Sequence, residues 1–274
     1  MTGTDTGVGK TVVSCAIASA LRERHRRLRV GVCKPMASGC RLERAGLINE
    51  DAEALAHFAD CRLPMEVVNP IRFRAPLAPA VAAEAEGRAV EWGALERALS
   101  ALDERSDAVV VEGVGGLMVP LDPRSPRYMV GELAREIGYP VVVVCRAGLG
   151  TLNHTAMTVE LLRQAGCRVS GLVMNGKETD PTAAAGDPSL ASNREWLERL
   201  TGVKVLAELP RGRSVAAAKG KLDRAVVAAA DGVDWLELMR VPGAPGTPGG
   251  RRGSAETGVG TTEIESRPGP TWGI

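Results

Sequence analysis

The chain has 274 residues and a formal net charge of +1, enough length to bury a sizeable core in one domain and no electrostatic case for a nucleic-acid or membrane-surface partner. No apolar run approaches the roughly 20 residues of a membrane span, and the N-terminus lacks a charged start followed by an apolar signal core. Six cysteines without a C-x-x-C pair read as reduced, buried thiols in a cytoplasmic protein, not as disulfides or a zinc site.

The first element is a phosphate loop. Thr2 to Thr11 reads TGTDTGVGKT, a variant of G-x-x-x-x-G-K-[ST] with Thr4 where the strict pattern wants glycine and Gly3 one residue early. Gly7 and Gly9 allow a tight turn that aims successive N–H groups at one point, and the helix opening near Lys10 adds its positive end. Lys10 can reach the outer phosphates of a polyphosphate, and the Thr11 hydroxyl is placed to ligate magnesium. Such a loop normally follows a buried parallel strand. Only Met1 and Thr2 precede Gly3, short of the mean strand of about 5–6 residues, so the first strand is expected to be missing from this chain and the natural start to lie upstream.

Downstream, apolar runs at 30–34, 108–112, 141–146, 169–175 and 203–209 are short and rich in branched residues, and the first four carry charge only at their ends, the signature of strands covered on both faces. Helical spacing separates them. Val13, Ile17 and Leu21 recur every fourth residue, as do Met157 and Leu161, and Leu222, Val226, Val233 and Leu236 predict a final helix. This alternation predicts an α/β fold, a parallel sheet with helices on both faces over residues 1–241. Residues 242–274 are different: fourteen of these thirty-three are Gly or Pro, and no hydrophobic period survives, which predicts a disordered tail.

In such sheets the ligand site lies at the carboxyl ends of the strands, and reading those ends gives a coherent set. One strand ends at Lys34 before Pro35-Met36-Ala37-Ser38-Gly39, the next at Glu112 before Gly113-Val114-Gly115-Gly116. The third leads to Gly148-Leu149-Gly150-Thr151-Leu152-Asn153, the fourth ends at Asn175 before Gly176, and the fifth is followed by Pro210, Arg211 and Gly212. A carboxylate capping an apolar strand beside a phosphate loop usually meets magnesium.

At this point the chain closely resembles the dethiobiotin synthetase family of P-loop NTPases. GTDTGVGKT (3–11), KPMASG (34–39), NPIRF (69–73), VEGVGG (111–116), GLGTLNH (148–154), GLVMN (171–175) and LAELP (206–210) stand in family order. The resemblance implies conversion of 7,8-diaminopelargonic acid, carbon dioxide and ATP, with Mg2+, into dethiobiotin, ADP and phosphate. A substrate amine becomes a carbamate, the carbamate attacks the γ-phosphate, and the second amine closes the cyclic urea.

By the same resemblance, Gly7, Val8, Gly9, Lys10, Thr11 and Val12 hold the phosphates, and Lys34 faces the carbamate and γ-phosphate as a catalytic cation beside Lys10. Thr11, Asp51 and Glu112 are the implied magnesium ligands, although Asp51 stands among Glu43, Glu50 and Glu53, where an exposed helix-start acid is the competing reading. Gly113, Val114 and Gly115, with Asn175, Gly176, Pro210, Arg211 and Gly212, border the nucleotide; the Asn175 amide suits the adenine edge, and the role of Arg211 stays open. Ser38 is implied to bond the substrate, against a plain turn serine. Thr151, Leu152 and Asn153 are implied to receive the substrate carboxylate across a homodimer interface, while Asn153 read alone is a helix N-cap.

Two other classes are weighed. Partitioning P-loop ATPases carry a second lysine where Asp5 stands, and the cobyrinic-acid amidases append a glutamine-hydrolysing domain where this chain has its Gly/Pro tail.

Overall fold

The computed structural model describes residues 1–44, 46–211 and 221–239. The tail at 242–274 and Gly212 therefore lie outside the described residues. In chain order, β1 (Thr2–Gly3) leads through the glycine loop into α1 (Lys10–Arg24), β2 (Val30–Cys33), β3 (Met36–Ala37) and a hairpin of β4 (Arg41–Glu43) and β5 (Gly46–Ile48). Then come α2 (Glu50–Ala59), α3 (Met65–Val68), β6 (Ile71–Arg72), α4 (Pro79–Ala85), α5 (Trp92–Arg105) and β7 (Ala108–Val111). A second hairpin, β8 (Pro120–Asp122) and β9 (Ser125–Met129), precedes α6 (Val130–Ile137), β10 (Val141–Arg146), α7 (Thr151–Gln164) and β11 (Val169–Lys177). The last part holds α8 (Pro181–Ala184), α9 (Asn193–Thr201), β12 (Val205–Pro210), α10 (Arg224–Asp231) and α11 (Trp235–Met239).

Strands β1, β10, β11 and β12 pair in that order, all parallel, and β2 pairs in parallel with β7. Two backbone bonds tie these half-sheets together: the Met1 ammonium donates to Val111 O at 2.7 Å, and Gly113 N–H donates to Met1 O at 2.9 Å. Of the strand expected before the loop, two residues are present, in register with Val143 and Val144.

The valine runs explain the layering. Successive strand residues face opposite sides, so Val144 packs with Val13, Ile17 and Leu21 of α1, while Val143 packs with Val159 and Leu162 of α7. Each large apolar side chain so buried is worth about 1.5–3 kcal/mol. Helices therefore cover both faces, as the uninterrupted apolar runs predict. All six cysteines are free thiols, and Cys15, Cys33, Cys40 and Cys145 are buried. No helix among the described residues is long and apolar enough to cross a membrane.

The structure differs from the sequence reading in three places. The final helix is two, α10 and α11, because the chain breaks at Gly232, the C-cap of α10. The buried stripe of α7 is Thr151, Thr155, Thr158, Val159 and Leu162, whereas Met157 is half exposed. Its threonines can face inward because Thr158 Oγ1 donates to His154 O at 2.8 Å, which satisfies the hydroxyl inside the helix. Asn153 is not an N-cap. Gly150 caps α7 with φ 86°, and Asn153 lies within the first turn, exposed.

Candidate active site

The loop between β1 and α1 is built by two left-handed glycines, Gly7 with φ 74° and Gly9 with φ 94°. Gly9 caps α1, whose first turn carries no acidic residue and no side-chain cap, leaving its N–H groups for an anion. Gly9 is required for a second reason. A Cβ there would fall 1.9 Å from Nδ2 of Asn175, which lies against the loop and donates to Val8 O at 2.9 Å. Val8 is buried and Val12 half-buried, so the loop is clamped by packing as well as by that bond. Lys10 is buried, and its ammonium donates to Asp5 O at 2.8 Å. Burial pulls its pKa below the ordinary lysine value, with the Glu112 charge working against that shift. A cation so placed gains from any anion that reaches it.

Across the joint between the half-sheets, Lys34 follows β2 and Glu112 follows β7, adjacent parallel strands ending at the same level. Lys34 Nζ donates to Glu112 Oε1 at 2.8 Å and also to Asp51 Oδ2 at the start of α2. Glu112 Oε1 accepts from the Thr11 hydroxyl at 2.8 Å as well, so one buried carboxylate oxygen links the phosphate loop to Lys34. Burial alone would lower the Lys34 pKa, but the charges and hydrogen bonds of Glu112 and Asp51 outweigh it and hold the group above the ordinary lysine value. Lys34 is charged throughout the physiological range.

The other oxygen, Glu112 Oε2, is buried without a hydrogen-bond partner. An orphaned carboxylate oxygen beside a threonine hydroxyl and a second acid is a donor set that fits magnesium, a hard cation that completes its shell with phosphate oxygens and water. Among the described residues no trio of His, Cys, Asp and Glu side chains forms a protein-only metal cage.

The remaining candidates fall in four places. Gly113, Val114 and Gly115 leave β7 and run beside the phosphate loop, where a Cβ on Gly115 would lie 3.4 Å from Thr6 Oγ1. Asn175 and Gly176 lie near the end of β11, and Arg211 N–H donates to Lys177 O at 2.8 Å, which draws Pro210 and Arg211 alongside them. Ser38 is half-buried just after β3. Thr151, Leu152 and Asn153 open α7 beyond β10, with Thr151 buried and Leu152 and Asn153 more open. Among the described residues no hydrogen bond or ion pair joins them to the Lys34 cluster.

Two residues at the site escape sequence reasoning. Asn69 is fully buried and donates through Nδ2 to Lys34 O at 2.6 Å, while Lys34 N–H donates to Val68 O at 2.7 Å, so both ends of the Lys34 peptide unit are held. A polar amide inside NPIRF is the available signal. Asp187 accepts from Leu149 N–H at 3.0 Å and fixes the turn into α7; nothing near it in sequence points there.

A family profile described as "AAA domain" matches residues 1–219. The chain is 46% identical over 210 residues to a protein named ATP-dependent dethiobiotin synthetase BioD from Anaeromyxobacter sp. (strain K), covering 77% of this chain and 88% of that protein. It is 35% identical over 211 residues to the protein of the same name from Bacillus subtilis (strain 168), covering 77% and 86%. Among solved structures, the MinD cell division protein of Aquifex aeolicus superposes with a TM-score of 0.53 at 12% identity, over 88% of this chain and 96% of that one, a likeness of fold alone.

Proposed function

The chain belongs to the family of ATP-dependent dethiobiotin synthetases, and we propose how its own side chains divide that reaction. Its activity is ATP-dependent synthesis of dethiobiotin, a ligase step of biotin biosynthesis. The observation that carries the residue assignment is the chain of contacts Thr11–Glu112–Lys34–Asp51, which joins a phosphate loop to a buried, charged lysine.

One amine of 7,8-diaminopelargonic acid adds to carbon dioxide and loses a proton, giving a carbamate. A carbamate oxygen then forms a bond to the γ-phosphorus of ATP as the bond to ADP breaks. The second amine attacks the carbamoyl carbon of that mixed anhydride, phosphate leaves, and the cyclic urea closes with loss of a second proton. No side chain need become covalent. The work is positioning and charge neutralisation.

In this reading the N–H groups of residues 7–12 hold the β- and γ-phosphates, and Lys10 exchanges the Asp5 carbonyl for a phosphate oxygen. Lys34 offers its cation to the carbamate and the γ-phosphoryl group. Thr11, Asp51 and Glu112 would hold magnesium, with Glu112 Oε2 as the ready donor. Bound there, magnesium would supply neutralisation of the phosphate charge. Asn175, Gly176, Pro210 and Arg211 border the adenine, Gly113 to Gly115 flank the ribose and phosphates, and Ser38 bonds the substrate.

The homodimer is part of the proposal. The first-turn N–H groups of Leu152 and Asn153 have no acceptor within their own helix and would bind the substrate carboxylate of a neighbouring subunit. Leu149 and Met157, exposed around the start of α7, supply apolar surface for that contact. Reduced thiols fit a cytoplasmic setting. No observation favours a partitioning ATPase, since Asp5 brings no second cation to the loop.

The decisive test gives purified protein ATP, magnesium, bicarbonate and diaminopelargonate and measures dethiobiotin by mass. Dethiobiotin formation coupled to phosphate release is expected; ATP turnover indifferent to diaminopelargonate, with no product, would overturn the assignment. For the dimer, subunits carrying Lys34→Gln are mixed with subunits carrying Thr151→Glu. Partial recovery of activity is expected, and a fully active monomer by light scattering would refute the shared site.

A further inference from the structure

The turn that opens α7 cannot be held by packing. Gly148 and Gly150 bring no side chain, Leu149 between them is 79% exposed, and a Cβ on Gly150 would meet nothing within 4 Å. The helix itself helps little: Gly150 offers no side-chain cap, and Thr151 N–H donates to Gly148 O only at 3.4 Å.

Three side chains from residues 187–193 supply what is missing. Asp187 Oδ2 accepts from Leu149 N–H at 3.0 Å, while its Oδ1 accepts from the Ser189 hydroxyl at 2.6 Å and from Ser189 N–H at 3.1 Å. Asn193, buried at the first position of α9, donates through Nδ2 to Ala147 O at 2.7 Å and to Ser189 Oγ at 3.1 Å. Ala147 N–H in turn donates to Asn175 O at 3.1 Å. One end of the turn is thus tied to β11 and Asn193, the other to Asp187. The fit is close, since a Cβ on Gly148 would fall 2.6 Å from Asp187 Oδ2. The Ser189 and Leu149 donors also hold the Asp187 carboxyl below the ordinary aspartate value. An acid beside the positive end of a helix opposes any anion meant for that end, so its place here is explained by the bonds it makes and not by its charge.

On the reading that the start of α7 receives the substrate carboxylate, we infer that Asp187, Ser189 and Asn193 are positioning residues for substrate recognition. They fix the direction in which the Leu152 and Asn153 N–H groups point, and so set the affinity for the carboxylate end of the diamine. They act through the turn, away from the reacting atoms.

The test measures, by titration calorimetry, binding of diaminopelargonate and of its methyl ester, whose far end carries no charge. Wild-type protein is compared with Asp187→Ala, Asp187→Asn and Ser189→Ala. Asp187→Ala should raise Kd for the acid about tenfold and leave Kd for the ester and for ATP within about twofold. Asp187→Asn should recover most of the loss, because its amide oxygen can accept from Leu149 N–H while its Nδ2 donates to Ser189 Oγ. Ser189→Ala should show the same selective loss at roughly threefold, which keeps the test open if Asp187→Ala does not fold. Equal losses for acid and ester would overturn the inference, as would an unchanged Kd for the acid or an Asp187→Asn protein no better than Asp187→Ala. Tighter binding of the acid to Asp187→Ala would also overturn it, since the charge would then outweigh the clamp. Wild-type protein that binds acid and ester alike would instead refute the carboxylate reading of α7, and the inference with it.

Discussion

The Lys34 ammonium and the Met1 ammonium both lie inside the molecule under the influence of Glu112, yet they are held in opposite states. At Lys34 two carboxylates in contact outweigh desolvation, and the pKa stands above the ordinary lysine value. At Met1 desolvation dominates, Glu112 acts only at a distance, the nearest acceptor is a carbonyl, and the pKa falls to about 6. Burial by itself does not decide whether a cation survives; the partner oxygens do. The first arrangement holds its charge beside the phosphate loop, one carboxylate away from Thr11. The second gives up its charge near pH 6, because its surroundings disfavour it.

The largest effect should come from removing the favoured charge. Lys34→Gln is expected to lower kcat by about a hundredfold or more, since its cation acts chiefly during phosphoryl transfer. Nucleotide affinity by titration calorimetry should change less than about threefold, because the loop and Lys10 remain. Near-normal turnover would show that the paired cation is only structural.

The disfavoured charge should appear as a pH dependence of stability. The Met1 amine titrates near 8 when unfolded and near 6 in the fold, so between those values the unfolded chain binds more protons. Stability from this group should therefore rise with pH from 6 to 8, by up to about 2–3 kcal/mol, and stay at its lower value below 6. Denaturant titrations across that window should show the slope, and N-terminal acetylation should remove it. An acetylated chain with the same slope would locate the titration elsewhere.

A smaller effect is expected at Asn69, a positioning residue that touches the Lys34 backbone and not the reacting atoms. Asn69→Ala removes one buried hydrogen bond and should cost about 1–3 kcal/mol of stability. It should also lower kcat by about tenfold with KM for ATP little changed, and Asn69→Asp should not restore it, since a carboxylate cannot donate to Lys34 O. A drop in stability with unchanged kcat would separate folding from positioning. The smallest effect should be at Lys177, whose pair with Glu208 ties β11 to β12 near the same sheet edge but leaves the lysine half exposed. Lys177→Met should shift stability by less than about 1 kcal/mol, measured by urea unfolding, because an open ion pair is screened.

These contrasts also mark what the sequence made legible. The strands of β2, β7 and β10 could be read because a strand covered on both faces must be apolar at every position. Lys34 and Glu112 stood out as charges at the ends of such runs. Asn69 did not, because its partner is a backbone carbonyl thirty-five positions away, and no local pattern encodes that meeting. The inward face of α7 was missed because threonine hides its hydroxyl in its own helix. The closeness of Gly9 and Asn175 belongs to the packing of β11 against the loop and has no signature in either segment.

The joint at Met1 has a mechanical meaning. The phosphate loop rides on the half-sheet of β1, β10, β11 and β12, whereas Lys34 and Glu112 ride on the plate formed by β2 and β7. On the proposed assignment, donor and acceptor of the phosphoryl group face each other across a seam whose backbone stitching, among the described residues, is two hydrogen bonds at Met1. A slide of one plate past the other would open the Thr11–Glu112 contact before it disturbed either plate's interior. On that assignment, the stiffness of the seam sets the tolerance to which the reacting atoms can be registered.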